Sequence, residues 1–203
     1  VFLLISALHF GRSDIVHTQL QVAPKTYQQW LPLIAHGGLV SIAIPSMQPA
    51  AVKSLFAILV GDEGAATLIN ATGTLFLPWL LSLASYSVYA IIYPAWRKPL
   101  LSLIILLILV LILPPLISFA LYFCLWHSRS HTLRIWHSLE GSTERRRSFI
   151  EATAYSLMAW TAALVFFTVF QGSFSSVLIQ LTFIGLAALT VPHMLLVDIA
   201  DKL

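Results

Sequence analysis

Two histidines, His127 and His131, stand four residues apart at the end of a long uncharged stretch, in the sequence FALYFCLWHSRSH. Residues four apart on a helix share one face, with Cβ atoms about 5–6 Å apart, so this pair can offer two imidazoles to a single ion. Neutral imidazole suits iron, copper, zinc or nickel, so the ligand type alone does not name the metal. The spacing therefore predicts a metal site of unspecified metal.

The elements that would position these histidines follow from the composition. The chain is 59% hydrophobic and 9% charged, which is far from the balance of a water-soluble domain. No polar and apolar alternation typical of barrel strands is evident, so we predict an all-α, polytopic transmembrane helical bundle. The small net charge of +3, without a basic and aromatic motif, excludes nucleic acid as a partner. Four stretches without Asp, Glu, Lys or Arg are each long enough to cross a bilayer: 26–52, 64–96, 100–127 and 152–197.

The segment 100–137 contains adjacent prolines, Pro114 and Pro115, and forms either one kinked helix or two helices. Adjacent prolines remove two backbone donors and disfavour helix in the residue before them, which favours a break. With two helices, ten of the eleven basic residues lie on one side of the membrane and Lys53 lies alone on the other. With one helix, four basic residues lie on one side and seven on the other. The positive-inside rule favours two helices and makes the basic side cytoplasmic.

We therefore predict about seven spans in a single integral-membrane domain over residues 1–203, with the basic loops on the cytoplasmic side. The first span is short, and Val1 is not a methionine, so we expect an N-terminal segment to be missing. Residues 50–64 have a helical apolar period and one Lys, which predicts a short interfacial helix on the outer side. The predicted spans are 1–13, 29–45, 66–94, 98–113, 115–137, 149–170 and 174–197.

Four histidines fall at a similar depth in the cytoplasmic half of these spans: His9, His127, His131 and His193. The spans were placed by counting Lys and Arg, without any histidine. The similar depth of the four histidines is therefore an independent observation. Ionisable groups inside a bilayer are costly and usually face the bundle interior, which makes the cluster a functional-site hypothesis. Each histidine alone could equally be a hydrogen-bond donor between helices, and for His193 both roles stay open.

Other polar residues have alternatives of their own. His36 lies in the same half of the membrane, but the two glycines that follow it indicate close helix packing. Asp14 and Asp198 are either acceptors that orient ligand imidazoles or solvated helix ends. Cys124 is the single cysteine and lies in an apolar run, which predicts a buried, unreactive thiol and no disulfide framework.

Three motifs resemble a known family: ALHFGRSD at 7–14, FALYFCLWHSRSH at 119–131 and LTVPHMLLVD at 189–198. In order and rough spacing they are similar to the Brp/Blh family of membrane-bound β-carotene 15,15′-dioxygenases, found with microbial rhodopsins. The resemblance covers most of the chain. It implies a multi-span helical enzyme that cleaves the central double bond of β-carotene with dioxygen, and it makes a microbial rhodopsin the expected recipient of the retinal product.

The same resemblance implies a catalytic Fe(2+) bound by His9, His127 and His131, with His193 of the PHM motif as a ligand or a supporting residue. The family has a further histidine in an N-terminal motif containing HG, and no such segment precedes His9; we expect it to lie in the missing N-terminal segment. Non-haem Fe(II) held by neutral histidines keeps positions open for dioxygen, while the protein excludes water. No side-chain acid or base is needed for this chemistry.

The implied substrate is an apolar polyene dissolved in membrane lipid, so entry sideways between helices into an apolar tunnel is expected. Aromatic side chains near the motifs are candidates to line this tunnel, although each could equally be ordinary packing or part of an interfacial belt. These candidates are Phe10, Tyr122, Phe123, Trp126, Trp160 and Phe166.

Other functions stay open on the residues alone. Opposed histidines on two helices can bind haem in an electron-transfer protein, although this leaves the pair at 127 and 131 unexplained. A di-iron desaturase or hydroxylase would need several histidine boxes, and one HxxxH is present. A metal-ion or proton-coupled transporter would favour carboxylates within the spans, where they are missing.

Overall fold

The structure, a computed structural model, describes residues 2–22, 29–129, 132–133, 136, 141–169 and 177–185. Almost all of these residues are helical and no strand occurs among them, which confirms the predicted all-α fold. The chain divides into two compact units, Val1–His127 and Ser128–Leu203. The predicted single domain stays a prediction.

The first unit contains most of the described helices. Helix α1 packs against α2, and both α2 and α3 pack against α4. Its elements are α1 (Phe2–Val22), α2 (Trp30–Gly38), a π-helical segment (Leu39–Ala43), α3 (Ile44–Met47), α4 (Pro49–Ile92), a 3₁₀ turn (Pro94–Trp96), α5 (Arg97–Ile112), α6 (Pro115–Leu121) and a second π-helical segment (Tyr122–Ser128). The second unit contains α7 (Ser142–Val169) and a helical stretch over residues 177–185.

Helix α4 is interrupted at Gly61, where φ is 76° and ψ is 169°. This backbone conformation is open to glycine and strained for other residues, so the helix bends here. The part of α4 before Gly61 is therefore a separate short helix, as the pattern of residues 50–64 predicts. Its predicted interfacial position stays a prediction.

The chain also breaks at the paired prolines. Leu113 (φ −98°, ψ 152°) and Pro114 (φ −55°, ψ 150°) are extended between α5 and α6. The side chain of Gln48 covers this break, since its Nε2 donates to the carbonyl oxygens of Val110 at 2.7 Å and Leu113 at 2.8 Å. The prediction of two helices rather than one is confirmed.

Within the described residues, four helices are long and apolar enough to cross a membrane: Trp30–Met47, Pro49–Ile92, Pro94–Ile112 and Thr143–Phe166. They overlap the second, third, fourth and sixth predicted spans, although Pro49–Ile92 begins well before the predicted start at residue 66. Helix α1 extends well beyond the predicted end at residue 13. The fifth and seventh predicted spans are described only in part, as the short apolar helix Pro115–Ser128 and residues 177–185.

The prediction of a buried thiol is wrong, because Cys124 is exposed. An apolar run predicts burial in a water-soluble protein, where apolar side chains leave water. In a bilayer the lipid tails are as apolar as leucine, so an apolar run does not separate lipid-facing positions from packed ones. Cys124 lies on the outer side of the second π-helical segment, whereas Tyr122 and His127 of the same segment are buried.

Candidate functional site

The carboxylate of Asp14 lies at the centre of a buried polar cluster, with its side chain 3% exposed. The hydroxyl of Tyr122 donates a hydrogen bond to Asp14 Oδ2 at 3.0 Å. The Nδ1 atom of His36 is 3.7 Å from Oδ2, and the Nδ1 atom of His127 is 3.8 Å from Oδ1. A carboxylate inside a membrane helix is costly unless polar groups surround it. Asp14 therefore faces two imidazoles and a phenol, and a solvated helix end does not describe it.

Close packing of α1 against α2 brings Asp14 and His36 together. A Cβ atom added at Gly11 would collide with the carbonyl oxygen of Leu33, and one added at Gly37 would collide with that of Ala7. Small residues allow helix backbones to approach each other closely in membranes. The glycines beside His36 therefore do mark close helix packing, and that packing places the His36 ring beside the carboxylate.

His127 lies in the second π-helical segment and is 5% exposed. Its ring has Phe10 edge-on, with centroids 4.8 Å apart, and stacks with Tyr122 at 6.1 Å and Phe123 at 5.8 Å. Single turns of π-helix occur often at functional sites. The contacts hold the imidazole in an apolar, aromatic environment in which Asp14 is its polar neighbour.

His9 on α1 lies next to His127, with ring centroids 5.3 Å apart and the ring planes at 67°. Two imidazoles that bind one ion at about 2.1 Å have centroids about 4.5–5.5 Å apart. His127 Nδ1 lies 3.8 Å from Asp14 Oδ1, beyond hydrogen-bond distance. A bond between these two atoms would leave Nε2 as the nitrogen for a metal, the usual division of roles in ligand histidines. The separation of the His9 and His127 rings is therefore in the range expected for two ligands of one ion.

A complete set of ligands is not seen in the part of the chain that the structure describes. No three His, Cys, Asp or Glu side chains among those residues are arranged to hold a metal ion. The other two predicted ligands, His131 and His193, lie outside the described residues, as does Asp198. Their roles stay predictions.

The aromatic residues proposed to line a tunnel fall into two groups. Phe10, Tyr122 and Phe123 contact the His127 ring, and Trp126 is half-buried against the core of the first unit. In the second unit, Trp160 of α7 is 77% exposed. Phe166 helps to line an open apolar groove of about 570 Å³ on the same helix. The structure therefore places the first group around a candidate ligand.

His36 is the site residue that the sequence interpretation set aside. The sequence placed it in the same half of the membrane as the other histidines and gave close helix packing as the alternative, and the structure shows that its ring also faces Asp14. The signal in the sequence was a histidine and an aspartate that each lie three residues or fewer from a glycine on an apolar helix. Pairing them required knowledge of which helices touch, which spacing along the chain does not contain.

The sequence of the chain is similar to those of known proteins. A sequence model of the family described as Beta-carotene 15,15′-dioxygenase matches residues 1–201. The chain is 34% identical over 200 residues to a protein named Beta-carotene 15,15′-dioxygenase from Uncultured marine bacterium 66A03, an alignment that covers 98% of this chain and 70% of that relative. No solved structure matches the chain.

Proposed function

Because the chain belongs to the β-carotene 15,15′-dioxygenase family, we propose that it cleaves the central double bond of β-carotene with dioxygen, at an iron ion held by histidines within the membrane. Membership confirms the predicted family and the predicted class of enzyme, a carotenoid dioxygenase. It also favours this function over a haem electron carrier, a di-iron desaturase or a transporter. The iron site and the membrane setting are the parts proposed here.

The observation that carries the proposal is the approach of His9 and His127, with ring centroids 5.3 Å apart although the residues come from distant parts of the chain. His9, His127 and His131 are the proposed iron ligands, and His193 is a fourth ligand or a residue that supports one. Neutral imidazoles are suitable ligands for non-haem Fe(II). Bound iron would supply the activation of dioxygen, chemistry that no side chain near Asp14 offers.

The remaining residues of the proposed site orient a ligand histidine, contact the substrate and exclude water. Asp14 orients the His127 ring through Nδ1. Phe10, Tyr122 and Phe123 surround that ring and would contact the polyene while they keep water away. Trp126, and Trp160 and Phe166 of α7, are the further proposed lining residues.

The proposed reaction consumes one β-carotene and one dioxygen. The central C=C bond breaks, and each of its two carbons gains one oxygen atom as an aldehyde, so two molecules of retinal account for both atoms of O2. The substrate reaches the site from membrane lipid, and a microbial rhodopsin is the proposed recipient of retinal. We propose a bacterial inner membrane location with the basic loops cytoplasmic.

The test is expression of the full-length protein in a bacterium that accumulates β-carotene. Cells should lose their orange colour, and chromatography should show retinal in an amount near two molecules per carotene lost. A His127→Ala variant expressed at the same level should keep the colour. Purified protein should lose activity with an Fe(II) chelator and regain it when Fe(II) is added back.

Three outcomes would contradict the proposal. If cells with well-expressed, folded protein keep their orange colour, the protein does not cleave β-carotene. Products other than retinal would show that the cleaved bond is not the central one. A Soret band in the purified protein would support the haem alternative.

A further inference from the structure

The imidazole of His36 is the member of the buried cluster that the proposed iron site does not use. Its side chain is 2% exposed. Within the described residues, neither ring nitrogen has a hydrogen-bond partner. Buried polar groups are normally hydrogen-bonded, and an unsatisfied one is costly. The ring therefore calls for an explanation other than packing.

The carboxylate of Asp14 lies beside the His36 ring, and the distance between the two groups is informative. Nδ1 of His36 lies 3.7 Å from Oδ2 of Asp14, whereas a hydrogen bond between nitrogen and oxygen spans about 2.7–3.2 Å. A bridging water with two bonds of about 2.8 Å would hold the two atoms about 4.6 Å apart. The gap is too short for a bridging water, and a shift of about 0.5 Å by either side chain would bring the two atoms within reach of a direct hydrogen bond.

The two oxygens of Asp14 face different partners. Oδ1 faces Nδ1 of His127, while Oδ2 accepts the Tyr122 hydroxyl and faces His36. Partners on Oδ2 fix the plane of the carboxylate, and that plane decides where Oδ1 points. A carboxylate that accepts Nδ1–H of a ligand histidine fixes both the tautomer and the orientation of the ring.

We propose that His36 is a positioning residue of the iron site and acts through Asp14. Its Nδ1–H holds Oδ2, so that Oδ1 directs His127 with Nε2 toward the ion. This inference rests on the proposed function, in which His127 is an iron ligand. Removing the partner of a ligand histidine typically lowers metal affinity by about 10–100-fold, so we expect about tenfold for His36, one contact further away.

The first experiment replaces His36 in the full chain and measures metal binding rather than turnover. His36→Phe keeps an aromatic ring without a donor, and His36→Gln keeps a donor for Asp14. The control is Tyr86→Phe, because the Tyr86 ring lies 5.8 Å from the His36 ring while its hydroxyl donates to the Trp96 carbonyl oxygen at 3.4 Å. The readouts are the affinity for Fe(II) and the ligand-field spectrum of the Co(II)-loaded protein in detergent.

His36→Phe should bind Fe(II) about tenfold more weakly and shift the Co(II) spectrum, since the geometry of a ligand has changed. His36→Gln should recover most of the affinity, and Tyr86→Phe should match the parent chain. A second comparison adds His36→Phe to Asp14→Asn. If His36 acts through Asp14, the double variant should bind Fe(II) no more weakly than Asp14→Asn alone.

Unchanged affinity and spectrum in a folded His36→Phe variant would overturn the inference while the parent chain still binds iron and forms retinal. Fully additive losses in the double variant would overturn it as well. If neither His36→Phe nor His36→Leu folds, His36 is a structural residue and the inference is wrong. A parent chain that binds no iron and forms no retinal would end the proposed function, and the inference with it.

Discussion

The hydroxyl of Tyr122 donates a 3.0 Å hydrogen bond to Asp14 across 108 residues of sequence. This bond joins α1 to the second π-helical segment, which carries His127. It also holds the Tyr122 ring beside the His127 ring, with centroids 6.1 Å apart. Tyr122 was predicted as a lining residue, which stays a prediction, and its hydroxyl also bonds to Asp14.

Replacement of Tyr122 by Phe should separate these two roles. Tyr122→Phe keeps the ring beside His127 and removes one donor from a buried carboxylate, a loss of about 1.5–3 kcal/mol for a hydrogen bond to a charged group. We expect a lower midpoint of thermal unfolding and an Fe(II) affinity reduced several-fold. Calorimetry and Fe(II) titration in detergent measure both.

Ser118→Ala is the matched control for Tyr122→Phe. It removes a buried hydroxyl that donates to the Leu113 carbonyl oxygen at 3.2 Å and does not touch Asp14. Its Fe(II) affinity should equal that of the parent chain. Equal affinity in Tyr122→Phe would show that the phenol does not help to hold the carboxylate.

A methyl group at Gly37 should disrupt the contact between α1 and α2. The added Cβ would collide with the carbonyl oxygen of Ala7, and backbone atoms cannot move aside as a flexible side chain can. Overpacking of this kind costs about 1–3 kcal/mol or more. We expect Gly37→Ala to lower the unfolding midpoint and to weaken Fe(II) binding, because Asp14 and His36 would be moved apart.

Gly73→Ala serves as the control for this effect. A Cβ at Gly73 meets nothing within 4 Å, and alanine in a helix interior is about 0.5–1 kcal/mol more favourable than glycine. The Gly73→Ala variant should be as stable as the parent chain or more stable. A Gly37→Ala variant of equal stability would mean that the two helices are not in close contact.

The architecture was largely predictable from the sequence because membrane helices have simple signals. Long stretches without charged residues predicted the helices that are long enough to cross a membrane. The adjacent prolines predicted the break that is seen at Leu113 and Pro114. Contacts between residues that are distant in the sequence were harder to predict. The meeting of His9 with His127 was predicted from a common depth in the membrane, a quantity that charge counting provides.

The contact of His36 with Asp14 and the exposure of Cys124 were not predictable in the same way. Both depend on which side of a helix faces protein and which faces lipid, and an apolar stretch in a membrane is similar on both sides. The partner of Asp14 was likewise hidden, since α1, α2 and the second π-helical segment meet through tertiary packing. Local pattern therefore located the candidate residues, and packing decided their partners.

Gln48→Leu should destabilise the break between α5 and α6. The helical donor for the Val110 carbonyl would be residue 114, which is a proline without N–H. Gln48 Nε2 replaces it at 2.7 Å and also donates to Leu113 at 2.8 Å. Loss of these bonds should cost about 1–3 kcal/mol, seen as a lower unfolding midpoint.

Ser54→Ala is the comparison for Gln48→Leu, because the Ser54 hydroxyl donates locally to Ala51 on an exposed surface. It should change the midpoint little. If Gln48→Leu behaves like Ser54→Ala, the carbonyls at the break obtain their donors elsewhere.

The proposed orientation in the membrane can be tested with thiol labelling in intact cells. Asp62→Cys lies after the bend at Gly61 and Thr143→Cys near the start of α7; both positions are exposed. In a Cys124→Ser background, an impermeant maleimide should label Asp62→Cys from outside and Thr143→Cys only after the inner membrane is opened. The reverse pattern would invert the assignment of the basic side as cytoplasmic.

Phe10→Leu tests whether the aromatic residues around His127 serve the reaction. The Phe10 ring meets His127 edge-on at 4.8 Å and Tyr122 at 5.5 Å, so leucine would loosen the imidazole and open space beside it. Misplacement of a reacting group by about 1 Å can cost up to about 100-fold in rate. We expect retinal formation per bound iron to fall at least about tenfold. Trp160→Leu, at a position 77% exposed, should reduce the rate far less, and a larger loss there would place the polyene along α7 instead.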